Sequence, residues 1–307
     1  MSASPFRALH IGDLHFWAVP GDPRSYLGKR ALGVANLLLK RRLKFPTAEA
    51  APRVLARAAE LRPGAALFSG DFSTTALPAE FAAAASAILA EPALAGRVRA
   101  VPGNHDRYTG GARRGLLFER HLAEPLGAPA GFPRAEELAP GLGLLQLDGG
   151  CANGLRSFGR VAPEDAARAR AALEPLRAGL RALLVLCHFP GEDPPPPLQP
   201  SRRGELRGAA PLLDSLNQLG VPVLFLHGHH HYRWAFRSAA RPNIAYLNAG
   251  SPTMIQRGAS APDLGFFELG WDGAALAVAL HRLAEGAWRV EPVGLPAPGA
   301  AVDLQRG

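Results

Sequence analysis

The chain of 307 residues is 48% apolar and 20% charged, a balance that supports a large buried core and excludes global disorder. Its formal charge of +8 would attract anions, whether phosphates, nucleic acid or acidic membranes, although an Arg- and Ala-rich composition accounts for most of it. Two cysteines, Cys151 and Cys187, give neither a disulfide framework nor a thiolate metal knuckle, and no apolar run reaches membrane-spanning length. With no apolar signal segment from Met1 to Arg7, a soluble cytoplasmic protein is expected.

Apolar runs that stop at Gly or at a metal-ligand type recur along the chain. Phe6 to Ile11 leads into Gly12-Asp13-Leu14-His15, and Ala65 to Phe68 leads into Ser69-Gly70-Asp71. Val98 to Val101 leads into Pro102-Gly103-Asn104-His105-Asp106, and Leu142 to Leu147 leads into Asp148. Leu183 to Leu186 leads into Cys187-His188, and Val221 to Leu226 leads into His227-Gly228-His229-His230-His231. Such short, unbroken runs read as strands covered on both faces. Between them, Thr47 to Leu61, Pro78 to Leu94, Pro163 to Leu176 and Gly208 to Leu219 have helical apolar spacing. Strand and helix alternate, which predicts a layered α/β fold. Later runs, Ile244 to Leu247, Gly265 to Leu269, Ala275 to His281 and Trp288 to Val293, lie in a stretch with little helix and predict a second, more antiparallel sheet.

One large domain over 1–295 accommodates these elements, and residues 296–307 are expected to fray. Two insertions interrupt it. The first, about 18–45, contains a stretch from Gly28 to Leu43 that mixes Leu and Val with Lys29, Arg30, Lys40, Arg41 and Arg42, followed by Lys44. Its expected state is a helix packed on its own domain with a solvated basic face; an amphipathic helix touching a membrane or partner is the alternative. The second, about 190–204, carries consecutive prolines from Pro194 to Pro197 and reads as a stiff loop beside His188. Cys187 is an improbable nucleophile, because alternation along a strand turns it away from the face of His188.

The polar run ends form one chemical set. Asp13 and His15, two residues apart, share a face if the backbone is extended, and His229 and His231 repeat that spacing. Asp71 follows a glycine, so an ion can approach closely. Alone, each piece has a bland reading: a turn, a packed core histidine, a surface His tract. Five of them in order, each ending an apolar run, are hard to reach by chance. Oxygen and imidazole donors without thiolate suit Mn, Fe, Zn, Co or Ni. Seven donors exceed one tetrahedral ion and fit two divalent ions sharing a carboxylate, an arrangement suited to attack on phosphorus.

The ordered set Asp13-X-His15, Gly70-Asp71, Gly103-Asn104-His105-Asp106, His188 and Gly228-His229-X-His231 resembles the calcineurin-like metallophosphoesterase family, from the first strand to about residue 251. In style it is most similar to the bacterial cyclic-nucleotide phosphodiesterase branch. The resemblance implies a four-layer α/β/β/α sandwich with metals at the strand ends. It places Asp13, His15 and His231 on one ion and Asn104, His188 and His229 on the other, with Asp71 bridging. It makes His105 the group that contacts phosphate and protonates the leaving oxygen, with Asp106 orienting it. His227 and His230 fall outside the ligand pattern.

The expected reaction is hydrolysis of a phosphodiester or, less favoured, a phosphomonoester, with a metal-bridging hydroxide as nucleophile and His105 as general acid. Arg107 and Tyr108, with Arg113 and Arg114 beyond them, follow the catalytic loop; they either reach a phosphate or form a solvated basic face. The expected partner is a small phosphoester. A DNA or RNA nuclease of the same family, favoured by the positive charge, and a non-catalytic adaptor that uses the 29–44 segment are the alternatives. Aromatic residues at 7% do not encourage single-strand binding. No His-Glu-X-X-His, Walker loop or Gly-X-Ser-X-Gly elbow is present.

Overall fold

The computed structural model describes residues 5–23, 29–128, 131–150, 157–196, 198 and 206–305. Cys151, part of the first insertion and much of the Pro-rich loop lie outside the described residues. In chain order the strands are β1 (Phe6–Ile11), β2 (Ala65–Phe68), β3 (Val98–Ala100), β4 (Arg134–Ala139), β5 (Leu142–Gln146), β6 (Gly159–Arg160), β7 (Ala182–Leu186), β8 (Leu206–Arg207), β9 (Val223–His227), β10 (Arg233–Arg237), β11 (Ile244–Ala249), β12 (Gly265–Trp271), β13 (Leu276–Ala284), β14 (Ala287–Pro292) and β15 (Ala301–Asp303). One sheet runs β14-β13-β12-β1-β2-β3 and the other β15-β10-β11-β9-β7-β5-β4, while β6 and β8 form a short ladder.

Alternate residues of one strand serve different layers, as the period of two requires. Leu9 and Ile11 of β1 pack with Ala51 and Val54 of helix Thr47–Glu60 and with Phe81 and Ile88 of helix Pro78–Leu89. Leu183 and Val185 of β7 pack with Leu173 of helix Pro163–Leu173 and with Leu212 and Leu216 of helix Ala210–Asn217. Ala8, Leu67, Leu184, Leu226 and Phe267 fill the space between the sheets. The order of layers is helix, sheet, sheet, helix. Each fully buried Leu, Val or Phe contributes roughly 1.5–3 kcal/mol through removal from water.

The C-terminal strands do not form a sheet of their own. β11 pairs parallel with β9, whereas β12 pairs antiparallel with β1. The edge strands of the α/β halves offered unpaired N–H and C=O groups, and the later strands were the chain left to cover them. Residues 296–307, expected to fray, contain β15, whose Val302 pairs with Ala235 of β10. β4 and β10 carry charged residues in short segments and have no apolar run to announce them. Helix Pro78–Leu89 stops before Pro92, which starts a separate turn and cannot continue the hydrogen bonding.

His10 shares the Ala8 face of β1, stacks on Phe267 at 6.4 Å, and has no hydrogen-bond partner on either ring nitrogen among the described residues. Burial pulls its pKa down to about 3. The folded chain keeps His10 neutral, whereas the unfolded chain takes up a proton below about pH 6.5. The resulting stability is present above that pH and is lost as pH falls, roughly 2 kcal/mol between pH 8 and pH 5. His10→Leu is expected to narrow the difference in melting temperature between those two pH values. An unchanged difference would assign the acid sensitivity to other groups.

Candidate metal centre

Strands β1, β2 and β3 run parallel, as do β7 and β9, so their C-terminal ends collect on common edges. Asp13 follows β1, Asp71 follows β2, Asn104 follows β3, His188 follows β7, and His229 and His231 follow β9. The loops fit closely. A Cβ on Gly228 would lie 2.1 Å from Asp13 Oδ1, and one on Gly103 would lie 2.1 Å from Asp71 Oδ1, so neither position accepts a side chain. The backbone is not extended here. His15, Asp71, His229 and His231 have φ of 51°, 53°, 70° and 60°. Non-glycine residues in this region carry strain of order 1–3 kcal/mol each and cluster at functional sites. The shared facing of Asp13 and His15 thus comes from turns rather than from strand alternation.

The donors converge in two groups. His15 Nε2 lies 2.9 Å from His231 Nε2, and His231 Nε2 lies 3.2 Å from Asp13 Oδ2. One donor atom from each of Asp13, His15, Asp71 and His231 lies within 4.8 Å of the others. In the second group, Asn104 Oδ1 lies 3.0 Å from His188 Nε2 and 2.9 Å from His229 Nδ1. Asp71 Oδ2 stands between the groups, 3.7 Å from His15 Nε2 and 3.4 Å from His188 Nε2. The other oxygen, Asp71 Oδ1, accepts from the His105 backbone N–H at 2.8 Å.

These residues fit two cations. His188 Nδ1 donates to the Ser69 carbonyl at 2.8 Å, which leaves the Nε2 lone pair facing Asn104 and His229. Asp13 Oδ1 is buried without a hydrogen-bond partner among the described residues. Electrostatics agree. Burial lowers the pKa of His188, but Asp71 and Asp13 outweigh it and push the value up to about 9. Burial raises the pKa of Asp71, but His188, His105 and His15 hold it well below the carboxylate range. Burial holds His15 and His229 well below the imidazole range. Burial raises the pKa of Asp13, so its charged form calls for a neighbouring cation, which the neutral rings of His15 and His229 do not supply.

His105 stands beside the donors rather than among them. Its Nδ1 lies 2.6 Å from the Thr74 carbonyl, and its ring stacks on Tyr108 at 5.6 Å with planes 12° apart. Asp106 does not hold this imidazole. Its carboxylate accepts from the backbone N–H of Phe72, Ser73 and Gly103 and from Ser73 Oγ. The expected carboxylate–imidazole pair is thus corrected: the Thr74 carbonyl orients His105, and Asp106 ties the Asp71 loop to the Asn104 loop. Three backbone donors in reach of one carboxylate compete better for it than a neighbouring ring does.

Arg107 is also corrected. Its guanidinium is bound at 2.8 Å by both Glu119 and Asp148, and it borders a cavity of 280 Å³ lined also by Arg113 and Arg168. None of the seven donors lines that cavity. The cation beside His105 is Arg41, from the basic insertion. Its Nη1 lies 3.2 Å from His105 Nδ1, and its guanidinium sits 5.3 Å from the Phe45 ring centroid. Phe45 in turn packs edge-on against His15 at 4.7 Å. Arg41 was one of six cations in a basic segment, and no local signal separated it from the rest.

His227 lies on the Phe225 face of β9, and its ring and that of His230 contact Trp234 at 4.7 and 5.9 Å. Neither belongs to the two donor groups. Cys187 is fully buried in the helix-side core, and burial pushes its thiol up to about 12. It is inert rather than nucleophilic.

The profile of the calcineurin-like phosphoesterases matches residues 6–233, and the chain belongs to that family. The family normally binds a dinuclear metal site, and membership makes the chain a hydrolase. A search of the curated proteins finds no match. Among solved structures, a dimetal phosphatase from Danio rerio is similar with a TM-score of 0.64 and 13% identity, over 94% of this chain and 99% of that one. Purple acid phosphatase PPD1 from yellow lupin (Lupinus luteus) seeds gives 0.61 and 14%, over 94% of this chain and 53% of that one. GAP50, the anchor in the inner membrane complex of Plasmodium, gives 0.54 and 11%, over 96% and 90%. At these identities the likeness is one of fold. Among the described residues, no helix is long and apolar enough to cross a membrane.

Proposed function

We propose that the chain hydrolyses a phosphoester at a two-ion centre, with Asp13, His15 and His231 on one ion, Asn104, His188 and His229 on the other, and Asp71 between them. The observation that carries this reading is the position of Asp71 Oδ2, 3.7 Å from one imidazole group and 3.4 Å from the other. Bound there, two divalent ions such as Mn, Fe, Zn, Co or Ni would activate water and neutralise charge developing on phosphorus.

The remaining residues supply orientation and a proton. Nδ1 of neutral His105 donates to Thr74, so its Nε2 is free to accept a proton. Burial and Arg41 pull the pKa of His105 down to about 3, which disfavours the imidazolium in the free enzyme. A bound anion neutralises Arg41 and places a negative charge beside the ring, so substrate binding favours protonation of His105. Arg41 cannot donate to the ring nitrogen that already donates to Thr74; its guanidinium is free to bind a phosphoryl oxygen. One fixed cation matches the single negative charge of a phosphodiester, which supports a diester over a monoester. The adaptor reading has less support, since an adaptor has no use for seven converging donors.

The test is hydrolysis by protein loaded with manganese, using bis-p-nitrophenyl phosphate, p-nitrophenyl phosphate, cyclic nucleotides and DNA. Diester turnover above monoester turnover, abolished by chelation, is expected. No turnover with two ions bound would overturn the proposal, and preference for DNA with steep salt dependence would favour the nuclease. Arg41→Ala is expected to lower kcat/KM by roughly 10- to 100-fold, the worth of one charge-assisted hydrogen bond. Arg41→Lys should recover part of that. Equal kcat/KM in all three proteins would remove Arg41 from the site.

A further inference from the structure

The first insertion has two faces with different work. Lys29–Asn36 is helical, Leu37–Arg41 continues as a π-helical turn, and Arg42–Lys44 closes the element. Its inner face is committed to the site. Gly33 packs so closely on Tyr108 that a Cβ would meet the hydroxyl at 2.7 Å. Arg30 donates to the carbonyls of Thr75 and Ala76, Val34 and Leu37 are buried, and Arg41 reaches His105.

Among the described residues, nothing covers the outer face, and it is apolar. Leu32, Leu39 and Leu43 are 58%, 75% and 72% exposed, and their spacings of seven and four residues align them along one stripe. Leu38 is exposed beside them. These four are among only ten exposed large hydrophobic side chains in the described residues. Trp17, also exposed, adjoins the end of the helix, its indole N–H donating to the Phe45 carbonyl at 3.0 Å. Lys40 and Lys44 flank the stripe on one side and Arg42 on the other, all three exposed. From residue 23 to residue 48 the chain has no Asp or Glu.

We propose that this outer face docks on an anionic phospholipid surface, with Leu32, Leu39 and Leu43 entering the boundary between headgroups and acyl chains and Lys40, Arg42 and Lys44 contacting lipid phosphates. An apolar stripe bordered by cations on both sides, with an indole at its end, matches the requirements of an interfacial helix. The same charge disfavours a second copy of the chain, since two such faces would bring like charges together. The inner face fixes the helix to the site, so the docked surface and the His105 region are joined by a single element.

The test is co-sedimentation of the full chain with vesicles of phosphatidylcholine alone or with a third of phosphatidylglycerol. Binding to the anionic vesicles is expected, weakening as salt rises and weaker by roughly tenfold or more on phosphatidylcholine alone. The Leu39→Ser/Leu43→Ser pair and the Lys40→Glu/Arg42→Glu/Lys44→Glu triple should each weaken it by on the order of 100-fold, with an unchanged melting temperature. Three results would overturn the proposal. One is no sedimentation with anionic vesicles, and another is wild-type sedimentation of both variants. The third is a solution dimer that Leu39→Ser/Leu43→Ser dissolves, which would assign the face to a second copy. The readout is binding, so loss of the phosphoesterase reading would leave it standing.

Discussion

Asp71→Ala is expected to leave the protein unable to hold either ion and to lower hydrolysis by on the order of 10³-fold or more, since electrostatic stabilisation and water activation are lost together. The argument is geometric. Asp71 Oδ2 lies within 4 Å of the metal-facing Nε2 of an imidazole from each group, His15 and His188. Its partner oxygen anchors the His105 backbone, so its loss also loosens the loop that carries Asn104. No neighbouring side chain compensates, because Asp13 is held against His231 at 3.2 Å. Metal content per chain, measured alongside turnover, checks the outcome. A variant that keeps two ions and wild-type turnover would remove Asp71 from the bridging position. Asp71→Asn, which keeps shape and loses charge, should retain partial occupancy at best.

The second large effect separates chemistry from metal binding. His105→Ala should keep both ions and lose about 10²- to 10⁴-fold in turnover, the usual contribution of a general acid. His105 is oriented by the Thr74 carbonyl and by stacking on Tyr108, and it meets the first donor group edge-on at the His15 ring, with centroids 5.0 Å apart. The loss should depend on the leaving group. p-Nitrophenolate departs without a proton, so the variant should retain more activity on bis-p-nitrophenyl phosphate than on an alkyl diester. Equal losses on both substrates would make His105 a binding residue rather than a proton donor. Full activity on both would end its role altogether.

Much of the centre was readable along the chain. The donor residues are of types that hold ions, and each ends a buried strand whose apolar run is a local signal. Parallel strands then bring their ends together as a consequence of the fold class, so Asp13, Asp71, Asn104 and His188 meet without further information. Two residues beside His105 lie otherwise than expected, Asp106 as its orienting group and Arg107 as a candidate phosphate contact. Asp106 is adjacent in sequence, yet three backbone N–H groups claim its carboxylate. Arg107 is two residues from His105, yet Glu119 and Asp148 hold it elsewhere.

Taken alone, the sequence determined the α/β class, the family, and the identity and order of the candidate ion-binding residues, because periodicity and donor chemistry are properties of short segments. The tertiary structure decided what depends on residues far apart in the chain. It chose Arg41 from six basic neighbours by packing one face of its helix onto the site. It sent β12 to β1 and β11 to β9, because open sheet edges, not local pattern, select their strands. It also left Leu32, Leu39 and Leu43 outside, since the helix has room to bury only one of its faces.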